Sequence, residues 1–211
     1  MIVPNKNCSL CDRLKNYRNK YKKLEPSWHN SPVESFGDID SKILIVGLAP
    51  GLQGANKTGR PFTGDHAGNT LYPSLIKNKL AEGTYKENCN DGLTLKNIRI
   101  TNSVRCVPPK NKPTNSERIN CRKFLRSEIQ NMKNLKIILT LGLIAHEEVL
   151  KTFDLKIASN KFEHGKIHFI NKTLLIFNSY HCSRYNINTK RLTMDMFNKI
   201  IKSISEKIVL L

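Results

Sequence analysis

Acidic residues are scarce in this chain. Asp and Glu number 17 against 35 Lys and Arg in 211 residues, a formal net charge of +18. Such an excess repels itself in the folded state unless an anionic partner offsets it. Nucleic acid is the commonest such partner, ahead of an acidic membrane surface, and solubility alone needs less charge. Long apolar runs are also missing. None reaches the roughly 20 residues that span a bilayer. Met1–Asn7 is polar where a secretory leader would carry an apolar stretch. These absences predict a cytoplasmic protein with no membrane role. Thiols stay reduced in that compartment, so its cysteines read as ligands or packing groups rather than disulfides. Internal repeats and low-complexity tracts are absent. The length fits one domain, residues 1–211, and 39% hydrophobic residues suffice for a core.

What is present alternates. Four short apolar runs read as strands: Ile43–Val46, Ile98–Val104, Ile137–Leu141 and Thr173–Phe177. Three of them are nearly continuous, which suits strands covered on both faces. A fifth run, Ile167–Ile170, is placed to pair with the last as a hairpin. Helical spacing separates the runs. Leu14, Tyr17, Tyr21 and Leu24 form one stripe before Pro26, beside a basic cluster at Arg18, Lys20, Lys22 and Lys23. Leu71, Leu75, Ile76 and Leu80 form another, with Pro73 expected in its first turn. Thr114-x-x-Glu117 is a capping box ahead of Cys121, Leu125, Ile129 and Met132. Gly142–Phe153 reads as a helix, and Thr193 caps a last one with Phe197, Ile200, Ile201, Ile204 and Ile208 inward. The pattern predicts an α/β fold, a three-layer α/β/α sandwich around a mainly parallel four-stranded central sheet. In such folds ligands bind beyond the carboxyl ends of the strands.

Cys8-x-x-Cys11 puts two sulfurs on one tight turn, and Cys106 and Cys121 follow much later. Cys106 is expected to end a strand and Cys121 to sit early in the capped helix. A Pro-rich loop, Val107–Pro113, lies between them to bring the sulfurs together. Four thiolates suit either a [4Fe–4S] cluster or a structural zinc. Cys89, in an Asn-rich loop, and Cys182, beside His181, read as non-ligands.

The first strand runs into Gly47-Leu48-Ala49-Pro50-Gly51, then Gln53-Gly54-Ala55-Asn56-Lys57-Thr58-Gly59-Arg60-Pro61-Phe62-Thr63-Gly64-Asp65-His66-Ala67-Gly68. Glycines in that number at a strand end let backbone approach a ligand closely. The spacing is not that of a phosphate-binding P-loop. This stretch closely resembles the family-5 (type b) uracil-DNA glycosylases. Two further segments share the resemblance: Ile100–Pro109, and Ser179-Tyr180-His181-Cys182-Ser183-Arg184-Tyr185-Asn186 through Thr193. The four cysteines also match the family's cluster ligands, and the likeness covers nearly the whole chain in order. It departs at Leu52-Gln53, at Ile187-Asn188 and at Lys190, none of which is a catalytic position.

The resemblance implies a uracil-DNA glycosylase, acting as a monomer on DNA that contains uracil or related lesions. It carries a [4Fe–4S] cluster on Cys8, Cys11, Cys106 and Cys121, which ties residues 1–25 to the body. The target nucleotide must be flipped out of the stack, and its N-glycosidic bond breaks through an oxocarbenium-like transition state. Gly47, Leu48 and Ala49 would line the base pocket, with Phe62 stacking on the base. Asn102 would read its edge. His181 would stabilise the anionic leaving group, and Asp65 would position water or stabilise the cationic sugar. An alternative task for Asp65 is to cap the next helix. Ala49 is apolar where other branches carry a polar group, which implies a broader choice of bases, hypoxanthine included. No lysine stands at a motif position for a Schiff base, so strand cleavage is not expected. Arg60, Ser183, Arg184, Tyr185 and Arg191 are expected to meet DNA, with Tyr185 or Ile187 as the wedge. A non-catalytic, zinc-stapled DNA-binding protein would also account for the charge and the cysteines. It would leave Asp65, Asn102 and His181 at strand ends without a task.

Overall fold

Ile43 and Ile45 point to one side of their strand and Leu44 and Val46 to the other, and all four are buried. A strand so covered must lie inside a layered fold. The computed structural model describes all residues, Met1–Leu211. In chain order the elements are α1 (Asp12–Leu24), β1 (Ile43–Gly47), α2 (Ala55–Thr58), α3 (His66–Lys77), β2 (Ala81–Glu82), β3 (Thr94–Leu95) and β4 (Ile98–Asn102). There follow α4 (Asn115–Asn131), β5 (Ile137–Leu141), α5 (Leu143–Thr152), β6 (Ile167–Phe169), β7 (Leu175–Ser179), α6 (Arg184–Asn188) and α7 (Met194–Val209).

The central sheet has five strands in the order β4-β1-β5-β7-β6. The first four are parallel, and β6 pairs antiparallel with β7 at the edge. The sheet is thus one strand wider than the expected four. The fifth is the Ile167 run, which pairs with β7 as the expected hairpin. Leu71, Leu75, Phe197, Ile200 and Ile204 of α3 and α7 cover one face of the sheet. Leu125, Ile129, Ala145 and Val149 of α4 and α5 cover the other. This is the three-layer α/β/α arrangement. No helix is long and apolar enough to cross a membrane.

Local chemistry sets the element ends. Thr114 Oγ1 accepts from Glu117 N (3.3 Å) while Thr114 N donates to Glu117 Oε2 (2.7 Å), a closed capping box. Thr193 accepts from Met196 N at the start of α7. Two expectations are corrected. Pro73 is the eighth residue of α3, not in its first turn, because the helix begins at His66 under its Asp65 cap. Cys106 does not end a strand: β4 stops at Asn102, and the chain turns before the cysteine.

The register brings the site together. Gly47 and Asn102 are partners at the carboxyl ends of β1 and β4, and Leu141 and Ser179 are partners at those of β5 and β7. The loops that leave these four ends all open onto one rim.

Candidate active site

A cavity of about 340 Å³ opens at that rim. Leu48, Ala49, Phe62, Asp65, Asn102 and His181 line it, with Ser183 and Arg184 at its mouth. Gly47 does not itself line the cavity but lies beneath Phe62 and Asn102, which do. A Cβ there would lie 2.5 Å from Asn102 Oδ1 and closer still to the Phe62 ring, so only glycine lets both side chains settle over the strand end. Asn102 is buried, and its carboxamide lines the cavity with no hydrogen-bond partner in the protein. A buried amide left so costs free energy unless a ligand pairs with it.

Phe62 adopts φ +53, a strained conformation for a bulky residue. Its surroundings hold it there. Tyr72 Oη donates to Pro61 O (2.5 Å), and Tyr85 Oη donates to Phe62 O (3.3 Å). Arg60 sits between the rings of Phe36, Tyr72 and Tyr85 and forks onto Asp91 at 2.8 and 2.7 Å. Arg60 is 5% exposed, so the expectation that it meets DNA is corrected: its guanidinium faces inward and braces the loop that carries Phe62. Asp91 is pulled well below the usual carboxylate range by that guanidinium.

Asp65 caps α3 by accepting from Gly68 N (3.1 Å) through Oδ1. Its Oδ2 lies against Gly51 and Gly54, where a Cβ would come within 3.2 and 2.6 Å. Helix capping therefore uses one carboxylate oxygen, and the residue still lines the cavity. The His181 ring stands 6.0 Å from that of Phe62, and the His181 carbonyl is held by Asn186 Nδ2 (2.8 Å). Burial pushes His181 below the ordinary histidine range, opposed by the Asp65 carboxylate. The imidazole is therefore neutral at pH 7.

Ser183 caps α6, accepting from Asn186 N (3.3 Å). That short helix presents Tyr185, which is 71% exposed, beside Arg184. Ile187 packs against the core. Arg191 lies 4.7 Å over the Tyr180 ring. The chain has ten arginines. Eight bond to carboxylates or carbonyls within the protein. Of the two left over, Arg184 lines the cavity mouth and Arg191 borders a neighbouring hollow that shares Leu48 and His181 with it.

Sequence reasoning missed Asn111. It lines the cavity from the Pro-rich loop, and both it and Lys110 have positive φ. Asn tolerates that conformation well, which was the available signal. Asp91 was missed because its partner lies 31 residues away.

Cys8, Cys11, Cys106 and Cys121 border a second, apolar pocket with Leu14 and Phe124. Arg105 N donates to Cys121 Sγ (3.3 Å), and Asn120 Nδ2 lies 3.6 Å from Cys11 Sγ. Arg18 points inward, not to solvent with the lysines near it. It donates to the carbonyls of Lys6 (3.2 Å) and Cys8 (2.5 Å), and its Nε has no partner. Burial raises the Cys106 thiol to about 12, against the pull of Arg18, and the Cys121 thiol to about 11. No three His, Cys, Asp or Glu side chains are spaced to hold a single metal ion. Cys89 is exposed and Cys182 is buried apart from this pocket.

Comparison with known proteins places this geometry. Residues 34–205 match the family described as the uracil DNA glycosylase superfamily. The chain belongs to that superfamily. It is 36% identical over 201 residues to a protein of Pyrobaculum aerophilum named type-5 uracil-DNA glycosylase, covering 93% of this chain and 87% of that protein. It is 38% identical over 200 residues to a Thermus thermophilus protein of the same name, covering 92% and 90%. A type-4 uracil-DNA glycosylase of Saccharolobus solfataricus is 27% identical over 186 residues, covering 85% and 79%. The cavity residues of this superfamily member, from Leu48 to Arg184, all fall within the matched span.

Proposed function

We infer that the chain is a uracil-DNA glycosylase, a hydrolase that cuts the N-glycosidic bond of uracil in DNA. The observation that carries this is the meeting of Phe62, Asn102, Asp65 and His181 on one cavity at the carboxyl edge of the sheet. A flipped uracil stacks on Phe62, and the Asn102 carboxamide offers both a donor and an acceptor to its edge. As the bond to the sugar breaks, its electron pair leaves with the base. His181, a neutral donor, hydrogen-bonds the base oxygen on which charge collects. Asp65 orients a water and takes its proton as the oxygen bonds to the anomeric carbon. Arg184 and Arg191 meet phosphates, and Tyr185 fills the gap in the stack.

The base range is broader than uracil. Ala49 and Leu48 present apolar atoms where discrimination would need a polar group, so hypoxanthine and other deaminated or damaged bases are substrates as well. No lysine lines the cavity, which supports hydrolysis without strand cleavage.

Cys8, Cys11, Cys106 and Cys121 would hold a [4Fe–4S] cluster. The fit is chemical: four sulfurs on one apolar pocket, two N–H groups aimed at sulfur, and a buried cation with a free donor beside them. Four thiolates close such a cluster, so it supplies structure rather than a reaction. Iron and sulfide analysis of the purified, coloured protein tests it; a colourless zinc protein would remove it.

The test of the activity is a duplex oligonucleotide with a single uracil, incubated and then treated with alkali. Breakage at the uracil is expected, and at hypoxanthine in a parallel substrate. Intact strands, both duplex and single-stranded, would overturn the reading.

A further inference from the structure

Away from the cleft, three rings line up along the N-terminal segment. Tyr17 meets Tyr21 edge-on at 5.0 Å, and Tyr21 lies parallel to Trp28, 3° between planes and 6.2 Å between centroids. All three are half-exposed, and none belongs to the hydrophobic core. They pack on one another. Cations surround them. Lys20 Nζ stands 6.0 Å from the Tyr21 ring and Lys57 Nζ 5.7 Å from that of Trp28, with Lys22 and Lys23 exposed on the same helix. Glu87 is the one carboxylate that borders the hollow beside Trp28.

The platform is fixed to the cleft. His29 N donates to Lys57 O and Asn30 N to Asn56 O, both at 3.0 Å, and the Asn56 side chain donates to that of Asn30 (2.8 Å). The helix so gripped is α2, whose first residue, Ala55, lines the cavity. The short helix α2 therefore stands between the wall of the cavity and the ring stack.

We propose that Tyr17, Tyr21 and Trp28, with Lys20 and Lys57, form a stacking platform for unpaired DNA bases beside the cleft. Partly exposed aromatic rings interleaved with lysines are the chemistry that holds single strands: rings take bases of any sequence, and cations follow the phosphates. A duplex keeps its base faces stacked inside and has none to offer the rings. The occupant is therefore DNA already opened near the lesion.

Trp28 is the only tryptophan in the chain, so its fluorescence reads the platform directly. Titration of the full chain with an oligodeoxythymidylate that lacks uracil should quench this fluorescence saturably. Tyr21→Ala should weaken that binding roughly 10-fold and leave excision from a short uracil duplex unchanged. Lys20→Glu keeps the rings and should lower the salt slope of binding by about 1. Unquenched Trp28 when anisotropy shows a labelled strand bound would overturn the proposal. So would equal quenching by a duplex of the same length, which would assign the contact to phosphates. Should Tyr21→Ala not fold, the wild-type quench and Lys20→Glu still decide. The oligonucleotide carries nothing to excise, so its result is independent of the glycosylase assay.

Discussion

The cleft and the cysteine pocket lie on either side of Ala49, which lines the first and packs against the Leu14–Val104–Phe124 cluster that forms the second. They treat polar groups in opposite ways. In the cleft, the Asn102 amide, the His181 imidazole and one oxygen of Asp65 face a void. Around the cysteines, one buried carboxylate pairs two guanidinium groups inside the protein, and the Arg18 and Arg105 Nε atoms are left without a partner. Glu128 is 1% exposed and takes Arg99 at 2.6 Å and Arg105, the residue before Cys106, on its two oxygens. Burial pushes Glu128 up, but Arg105 and Arg99 together hold it below the usual carboxylate range. The cleft leaves whole side chains unpaired so that a ligand can pair them; the cysteine side is held in place by ion pairs inside the protein.

That contrast can be broken by exchanging the effects. His181→Ala should slow excision by roughly 10²–10⁴-fold while DNA binding and melting temperature hold, as single-turnover rates and calorimetry would show; Asp65→Ala should slow it as much and also cost about 1 kcal/mol of stability, through the lost cap on α3. A loss of stability equal to the loss of rate would mean that the cleft is a structural element. On the pocket side, Glu128→Ala leaves two buried guanidinium groups without a counter-charge. It should cost about 3–5 kcal/mol in urea unfolding, with little change in rate per folded molecule. A smaller effect is expected at the cleft mouth. Arg184→Ala should weaken DNA binding evenly across sequences and reduce the salt slope by about 1.

The smallest effect concerns pH. Burial lowers the proton affinity of His164, His168 and His181 in the folded chain, although Asp65 opposes this at His181. Below about pH 6.5 the unfolded chain then binds more protons than the folded one. Stability should therefore fall as pH drops through that value, down to the depressed values of the folded state. Replacing His168 with Gln should flatten that part of the curve in urea titrations at several pH values.

Much of this was legible in the sequence where signal is local. The alternation of apolar runs and helical stripes gave the layers, and the Thr114–Glu117 box is closed in the structure as its spacing predicts. Phe62, Asp65, Asn102 and His181 were readable because their motifs resemble those of the family, and the parallel sheet gathers those motifs at the carboxyl ends of its strands. The orientation of cations was not legible. Arg18 and Lys20 look alike in sequence, yet one is buried and the other exposed. Arg60 sits in a motif next to cleft residues, and only a carboxylate 31 positions on turns it inward. Long-range pairing decides such cases, and one sequence carries little trace of it.

Glu117 joins two distant stretches of chain. The carboxylate that closes the start of α4 also receives Arg13 Nε (2.8 Å) and Nη2 (2.7 Å) from α1, 104 residues earlier. Docking of the leading helix and completion of the first turn of α4 are therefore a single cooperative event. Detaching the first would fray the turn just before Cys121, so that a weakness at the amino terminus would surface in the middle of the chain.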